Sequence, residues 1–418
     1  MRHTFTLAAL GLTLAASLAT AADWPRYRGP NTDGIAEVVP LDKLTLTPVW
    51  KVPVGDSFGQ IAIVGNRAFL MAERGADEFC VCLDAATGKE VWATRIDKTI
   101  KDGNGNGPRS TPAIDGKRVY AFSTYLKLVC LDLETGKEVW KHDLMAEHGA
   151  RILNWGSASS ALVIDDLVLV TGGSEGKGIS AFKKAAGELA WAKTDEAYTH
   201  ATPTLATIKG KLQAVCLMKS GLVSVEPATG NVLWKFPVPR ASSAGAIAAS
   251  PVVGGKDGDV VYYSIGYNVG AGACRVTKTG DTWVAAELWN TPVKNQTTWS
   301  TAVHRDGYIY GLFNHNDLNG PLACLEIDTG TVKWSEAGFG SQGGVILVGD
   351  KLLIQTVKGD LVVVPAASDA FKELSRQTIL PEKDWTAPTL ANGMLYARNS
   401  SAITGGGTAE IACFKLGN

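Results

Sequence analysis

The stretch Cys82–Trp92 decides the fold: it reads CLDAATGKEVW and returns 48 residues later as Cys130–Trp140, CLDLETGKEVW, with nine of eleven positions identical. Three weaker copies also place a glycine four residues before a tryptophan, at Gly187 and Trp191, Gly230 and Trp234, and Gly330 and Trp334. A sixth copy at Thr279-Gly280 is stretched, and we assign its tryptophan to Trp289. The repeated glycines are 43 to 51 residues apart, so most of the chain is an internal repeat.

Each repeat reads as four short β-strands. Glycine favours the turns between them, because a tight hairpin needs a positive φ that glycine adopts without strain. Four antiparallel strands in a period of this length predict one blade of a β-propeller. In the second repeat we expect strands over residues 110–114, 119–123, 127–132 and 138–144, with turns at Asp115-Gly116 and Thr135-Gly136.

The repeats add up to eight blades that close into a ring. The last blade ends with the strand 411–415 and lacks an outer strand, whereas residues 48–52 look like an outer strand without a blade. We therefore predict that the N-terminal strand completes blade eight, which leaves no unpaired edge between the first and last blades. The fold class is all-β, an eight-bladed β-propeller of four-stranded antiparallel blades, and the blades begin near residues 59, 110, 159, 201, 249, 300, 343 and 386.

Two columns of the repeat are interpreted as packing positions. The repeat tryptophans are expected to be wedges between neighbouring blades. A second column, five residues before the Thr of each Thr-Gly turn, holds cysteine or another small residue, so it indicates a small buried side chain. Only Cys80 and Cys82, on one strand, are near enough for a strained disulfide, and no metal site is expected. The wedges are Trp50, Trp92, Trp140, Trp191, Trp234, Trp289 and Trp334, and the second column is Cys82, Cys130, Ala181, Ser224, Cys274, Cys324 and Cys413.

Composition excludes several classes of protein. Apolar residues make up 45% and charged residues 19%, which argues against a disordered chain or a coiled coil. Forty basic residues against 41 acidic ones give no electrostatic reason to expect nucleic acid or an anionic membrane as partner.

The N-terminus resembles an export signal. Arg2 is followed by the apolar run 7–18, which is too short to span a bilayer, and then by Ala19-Thr20-Ala21, a small-x-small cleavage pattern. A short core helix is the alternative interpretation. Because no cysteine lies near the cleavage site, we expect an unlipidated periplasmic or secreted protein. The expected division is a signal peptide (1–21), an extended lead-in (22–45) and the propeller (46–418), with no transmembrane segment.

A candidate site follows from aligning the residues just before each first strand, where the channel of the propeller opens. A flat aromatic side chain beside Arg, His and amides suits a planar ligand with a polar rim. In the alternative interpretation these aromatics only close the narrow end of the channel, with Arg109 in a salt bridge and His200 hydrogen-bonded. The ring comprises Phe58-Gly59, Arg109, Ala158, His200, Ala248, Trp299, Gln342 and Trp385, with Asn154, Trp155, Tyr198, Gln296 and Asp384 nearby. Of these, the candidate ligand-binding residues are Arg109, Asn154, Trp155, His200, Trp299, Gln342 and Trp385.

The repeated phrase Ala/Cys-x-Asp-x-x-Thr-Gly-x-x-x-Trp resembles the tryptophan-docking repeat of the quinoprotein-like propellers. That family includes dehydrogenases that use pyrroloquinoline quinone (PQQ) and the non-enzymatic propeller BamB of outer-membrane protein assembly. The segments 23–30, DWPRYRGP, and 49–55, VWKVPVG, are similar to the lead-in of both branches. The chain departs from the dehydrogenases because it has no adjacent cysteine pair and no Cys-x-x-Cys-His haem motif.

The resemblance implies two functions, and the aromatics of the channel mouth suggest a third. The first is an exported, non-catalytic binding or assembly scaffold of the cell envelope, monomeric, without a cofactor and with a protein or peptide partner. The second is a PQQ-dependent alcohol or sugar dehydrogenase with Ca²⁺, for which Asp384 is the candidate base. The third is a carbohydrate-binding propeller that uses the aromatics of the channel mouth. We expect the first.

Overall fold

A computed structural model describes residues 22–41, 44–174, 176–292, 295–381, 383–400 and 408–417. The predicted signal peptide, residues 1–21, lies outside them. The described residues form eight β-sheets, and the first strands of neighbouring sheets contact one another around a channel. The predicted eight-bladed propeller is therefore confirmed.

The strands are numbered in chain order, and within each blade they run from the channel outwards. Two strands precede blade one in sequence: β1 (Ile35–Ala36), which belongs to the lead-in, and β2 (Thr45–Pro53). Blade one contains β3 (Ala62–Val64), β4 (Arg67–Arg74), β5 (Asp77–Asp84) and β6 (Glu90–Lys98). Blade two contains β7 (Ala113–Asp115), β8 (Arg118–Phe122), β9 (Lys127–Asp132) and β10 (Glu138–Asp143), and a short helix α1 (Leu144–His148) follows it. Blade three contains β11 (Leu162–Ile164), β12 (Leu167–Thr171), β13 (Ile179–Lys183) and β14 (Leu189–Lys193).

The remaining blades repeat this order. Blade four contains β15 (Thr204–Ile208), β16 (Lys211–Met218), β17 (Gly221–Val225) and β18 (Val232–Pro237), followed by a 3₁₀ turn (Ala241–Ser243). Blade five contains β19 (Val252–Gly254), β20 (Val260–Ile265), β21 (Gly270–Thr279) and β22 (Thr282–Pro292). Blade six contains β23 (Val303–Arg305), β24 (Tyr308–Leu312), β25 (Leu322–Glu326) and β26 (Val332–Glu336). Blade seven contains β27 (Gly344–Val348), β28 (Lys351–Gln355), β29 (Asp360–Pro365) and β30 (Ser375–Thr378), and blade eight contains β31 (Thr389–Ala391), β32 (Met394–Arg398) and β33 (Glu410–Gly417).

Strand β2 closes the ring. It pairs antiparallel with β33, with Trp50 opposite Cys413 and Val52 opposite Ile411. The outer strand of blade eight is therefore supplied by the N-terminal part of the chain, as the sequence predicts.

The first strands are shorter than predicted, because the residues before them hydrogen-bond to the neighbouring blade instead of within their own sheet. In blade two the strand is Ala113–Asp115 rather than 110–114. Side-chain oxygens of these preceding residues accept backbone N–H groups from the neighbouring blade: Gln60 donates to Thr111, Thr111 to Ser160, and Ser160 to Thr202. The recurring Ser/Thr signal is thus a belt of hydrogen bonds between blades around the channel.

The repeat tryptophans lie between blades. The Trp92 ring lies against Gly136 of blade two, where an added Cβ would come within 2.6 Å of the ring. A β-bulge residue immediately precedes each of the seven tryptophans and re-aims the strand there. Six of the seven indole N–H groups donate to a backbone carbonyl of the next blade: Trp50 to Ala85, Trp92 to Leu133, Trp140 to Lys184, Trp191 to Pro227, Trp289 to Ile327 and Trp334 to Ala367, at 2.8 to 3.0 Å.

Blade five departs from the repeat because its outer hairpin is longer. Strands β21 and β22 extend to the turn at Thr279–Thr282, and β22 contacts β18 of blade four. Trp234 consequently bonds within its own blade, to Oε1 of Gln213 at 2.8 Å. The assignment of Cys274 to the small-residue column is off by one: Ala273 is the residue opposite Trp289.

All seven cysteines are buried and free. Burial raises the pKa of each thiol, which keeps it protonated. Cys80 and Cys82 share β5 without a disulfide between them.

The lead-in enters the channel and turns back inside it. Trp24 forms a β-bridge with Ile63 of blade one, and the N–H of Ile114 in blade two donates to the carbonyl of Pro25 at 2.8 Å. Strand β1 then leaves parallel to β27, so the sheet of blade seven has five strands rather than four.

Arg28 fixes the turn of the lead-in. Its guanidinium is buried and donates to the backbone carbonyls of Thr32 and Asp33 in the lead-in and of Thr301 and Ala302 before blade six. A buried cation is tolerated where several acceptors surround it. The Arg28 side chain thus links the lead-in, which fills the channel, to blade six.

Among the described residues, no helix has the length and apolar character needed to cross a membrane.

Replacing one wedge tests the packing between blades. Trp140→Ala is expected to lower the free energy of unfolding by about 3–5 kcal/mol, because it removes a buried indole and its hydrogen bond. Val139→Ala changes the exposed bulge residue beside it and should lower the free energy of unfolding by less than about 0.5 kcal/mol. Urea unfolding measures both, and similar costs for the two variants would contradict the wedge role.

Replacing Arg28 tests the lead-in. Arg28→Met should destabilise the protein by about 3 kcal/mol or more, because it leaves buried carbonyls without donors. The exposed Arg151→Met is the matched control and should leave the melting temperature within a degree or two, since surface changes cost less than about 0.5 kcal/mol. An unchanged melting temperature in Arg28→Met would show that the lead-in does not stabilise the ring.

Candidate functional site

The channel mouth holds a cavity of about 170 Å³. Its walls come from residues that precede the first strands of the blades, and its floor comes from Tyr27, Arg28 and Gly34 of the lead-in. Because the lead-in fills the channel behind this floor, the cavity is accessible from the mouth alone. The predicted site position is therefore occupied by a blind cavity and not by an open pore.

Five of the seven predicted ligand-binding residues line this cavity, and so do Phe58, Ala158 and Ala248 of the predicted ring. The five are Arg109, Trp155, His200, Trp299 and Trp385. The structure thus brings together side chains from blades that are far apart in sequence.

The aromatic residues form two walls. On one side, the rings of Trp299 and Trp385 have centroids 4.9 Å apart, and Phe58 lies 5.3 Å from Trp385. On the other side, Trp155 and Tyr267 stack at 6.1 Å with an angle of 25° between their planes. The first wall belongs to blades six, eight and one and the second to blades three and five, and blade five is the neighbour of blade six.

Arg109 is held in place by its own loop. Its guanidinium forms an ion pair with Asp102 at 2.5 Å and donates to the carbonyls of Gly105 and Gly107. It also lies over the ring of Phe58 at 5.3 Å. The glycine-rich segment 103–107 therefore wraps a cation of the mouth.

His200 is neutral. Its Nε2 lies 2.8 Å from the carbonyl oxygen of Asn154, which can only accept, so Nε2 carries the proton and donates. Burial lowers the pKa of His200 to about 4. Its Nδ1 is buried without a hydrogen-bond partner among the described residues.

Asn154 and Gln342 do not line the cavity. Asn154 has an exposed side chain and contributes only the carbonyl that holds His200. Gln342 is buried, and its amide donates to Asn316 at 3.3 Å. Gln342 was predicted as a member of the ring and Asn154 as its neighbour, but neither is among the residues that line the cavity.

Asp384 also lies outside the cavity. Its carboxyl group is fully buried, and burial raises its pKa to about 8. The neighbouring Lys383 reaches the mouth instead: its Nζ donates to the carbonyl of Asn104 at 2.7 Å and lies 5.0 Å from the ring of Trp385.

Sequence reasoning missed the residues that complete the site. The floor residues precede every repeat, and their signal was a lead-in with an unusual density of aromatic and cationic residues, WPRYR at 24–28. Tyr267 lies in the loop between β20 and β21, outside the aligned positions, and had no signal in the repeat.

The residues at the mouth do not match a PQQ–Ca²⁺ site. Calcium takes six to eight oxygen ligands, mostly carboxylates and carbonyls. None of the described side chains that line the cavity is a carboxylate, and the described residues contain no group of three His, Cys, Asp or Glu that could hold a metal ion. The floor of Tyr27 and Arg28 occupies the space below.

Solved structures share this fold. BamB from Moraxella catarrhalis matches with a TM-score of 0.60 and 16% identity, covering 89% of this chain and 98% of that one. The quinohemoprotein alcohol dehydrogenase from Comamonas testosteroni matches with a TM-score of 0.66 and 13% identity, covering 96% and 81%. The computationally designed Ika8 protein matches with a TM-score of 0.56 and 11% identity, covering 88% and 99%. At these identities the likeness shows the fold alone.

Among curated protein sequences, none matches the chain. One family model does: it is described as outer membrane protein assembly factor BamB, and it matches residues 76–336. This match spans more than half of the chain and covers the two outer strands of blade one and all of blades two to six. The chain therefore belongs to the family described as outer membrane protein assembly factor BamB.

Proposed function

We propose that the protein is an exported, non-catalytic scaffold of the cell envelope, periplasmic or secreted, that binds a protein partner in outer-membrane assembly. Membership of the family supports the class of function, since the matching family is described by that role. The protein acts as a monomer and uses the mouth face of the propeller for recognition.

The observation that carries the proposal is that the titratable groups around the cavity are committed to structure. The pKa of His200 is lowered to about 4, so the ring is neutral at pH 7 and a weak base. Arg109 is neutralised by Asp102. A general acid or base would need a pKa near the working pH and a position at the cavity, and Asp384 has only the first of these.

The mouth face also carries an exposed apolar group. Leu318, in the loop between β24 and β25, is 63% exposed on the side where the cavity opens. Val284, on the outer strand of the long hairpin of blade five, is 51% exposed and serves as a matched apolar control.

Site-specific photo-crosslinking in cells tests the proposal. A photoreactive residue at position 318 is expected to give a discrete adduct with an outer-membrane assembly protein, whereas the same residue at 284 should give none. Deletion of the gene should lower the amount of outer-membrane β-barrel proteins, and the wild-type gene should restore it. No adduct from 318 together with unchanged barrel levels would refute the proposal, and so would dye-linked alcohol oxidation by purified protein supplied with PQQ and Ca²⁺.

The buried carboxyl group of Asp384 gives a separate prediction, about how stability depends on pH. With a pKa of about 8 when folded and about 3.8 when unfolded, the folded state binds the proton more tightly, so its contribution to stability falls as pH rises from about 4 to 8. Asp384→Asn should therefore gain stability relative to wild type over that range and level off above it. Melting curves from pH 4 to 9 measure the difference. A constant offset would show that this carboxyl group ionises normally.

A further inference from the structure

We propose that the mouth cavity binds one uncharged pyranose ring, presented by the end of a glycan chain. This inference goes beyond the scaffold proposal and does not rest on it. It follows from the shape, the polarity and the charge of the cavity.

The two aromatic walls set the shape of the ligand. Trp299 contacts Trp385, Trp155 stacks on Tyr267, and all four line the cavity. A ligand that packs against these rings must offer them a flat, weakly polar face. The C–H faces of a pyranose and the faces of a planar heterocycle both satisfy that condition.

The second wall is held under strain. Trp155 has a φ of +65° and Tyr267 a φ of +57°, a left-handed backbone conformation that bulky residues rarely adopt. Such strain costs of order 1–3 kcal/mol per residue and concentrates at ligand-binding sites. In the turns that carry Trp155 and Tyr267, this conformation sets the direction of both side chains.

Unpaired polar atoms select the chemistry. His200 Nδ1 is an acceptor, Trp299 Nε1 is a donor and Ser300 Oγ is both, and none has a hydrogen-bond partner within the described part of the chain. All three belong to residues that line the cavity. Leaving such buried atoms unpaired costs about 1–3 kcal/mol each. A hydroxyl group both donates and accepts, so a ring with several hydroxyls matches this mixed set once side-chain rotation turns the buried atoms towards the cavity.

The charges around the cavity favour an uncharged ligand. Arg28 donates to four backbone carbonyls, Arg109 is paired with Asp102, and Lys383 is bonded to the carbonyl of Asn104. No carboxylate belongs to the described lining residues. A carboxylated ligand would therefore find cations already engaged, and a cationic ligand would find no counter-charge.

The floor and the volume set the mode of entry. At about 170 Å³ the cavity is close to the roughly 150 Å³ of an engineered cavity that holds one benzene ring, so it suits one ring. Because the lead-in closes the bottom, a longer chain cannot pass through. The ligand is consequently a terminal residue and not an internal one.

Calorimetry on the purified mature protein tests the proposal with methyl pyranosides of glucose, galactose, mannose and N-acetylglucosamine. At least one is expected to bind saturably. Trp299→Ala and Trp155→Ala should each weaken that binding about tenfold or more, because each removes a stacking face. Trp299→Phe keeps the face and loses the N–H, so it should weaken binding less. Trp283→Ala, on the outer hairpin of blade five, is the control and should bind as wild type does.

Trisaccharides blocked at one end distinguish entry by the reducing end from entry by the non-reducing end. Binding of both blocked forms with equal affinity would contradict entry by a chain end.

Absence of saturable binding of every pyranoside up to about 50 mM would overturn the proposal. Unchanged affinity in Trp299→Ala and Trp155→Ala would also overturn it, and so would tight binding of PQQ in place of the sugars. Circular dichroism confirms that each variant is folded. Sugar affinity in Trp299→Ala and the restoration of outer-membrane β-barrel proteins by the same variant in the deletion strain are measured separately, so that each of the two proposals can fail without the other.

Discussion

Closure of the ring is the constraint on which the rest of the structure depends. A β-sheet edge that is left unpaired is a liability, and a propeller removes it only if its first and last blades meet. Here the pairing of β2 with β33 makes that join, and Trp50 then donates across it to Ala85 of blade one. The wall formed by Trp299, Trp385 and Phe58 draws on blades six, eight and one, so it exists only when the ring is closed.

The lead-in fills the channel of this ring and closes it behind the mouth. Residues 24–36 fill the channel, bonding to blades one, two, four, six and seven through backbone and side-chain groups. The same segment supplies the floor of the mouth cavity, so the element that stabilises the inside of the ring also sets the depth of the site.

The parts of the molecule that could be predicted from sequence are those that depend on local spacing. The Gly–Trp distance of four residues reports a turn and a strand within one blade, and it predicted the wedges. The recurring first-strand signal predicted the blade number and the ring residues Arg109, His200, Trp299 and Trp385, with Trp155 nearby. The long hairpin of blade five broke that spacing and displaced the assignment of Cys274. The route of the lead-in was hidden for another reason: Arg28 bonds to residues more than 270 positions away, and no periodic pattern encodes such a contact.

The join between β2 and β33 also has a consequence for how the chain folds. Thr45 pairs with Gly417, so the contact that completes the toroid links residues from opposite ends of the polypeptide. Contacts of such high contact order form late, and loop closure slows them further. During vectorial synthesis, β2 emerges long before its partner exists, and it stays unpaired until the last strand appears. The ring therefore closes only after β33 has been synthesised, and an open arc of blades persists until that strand pairs with β2.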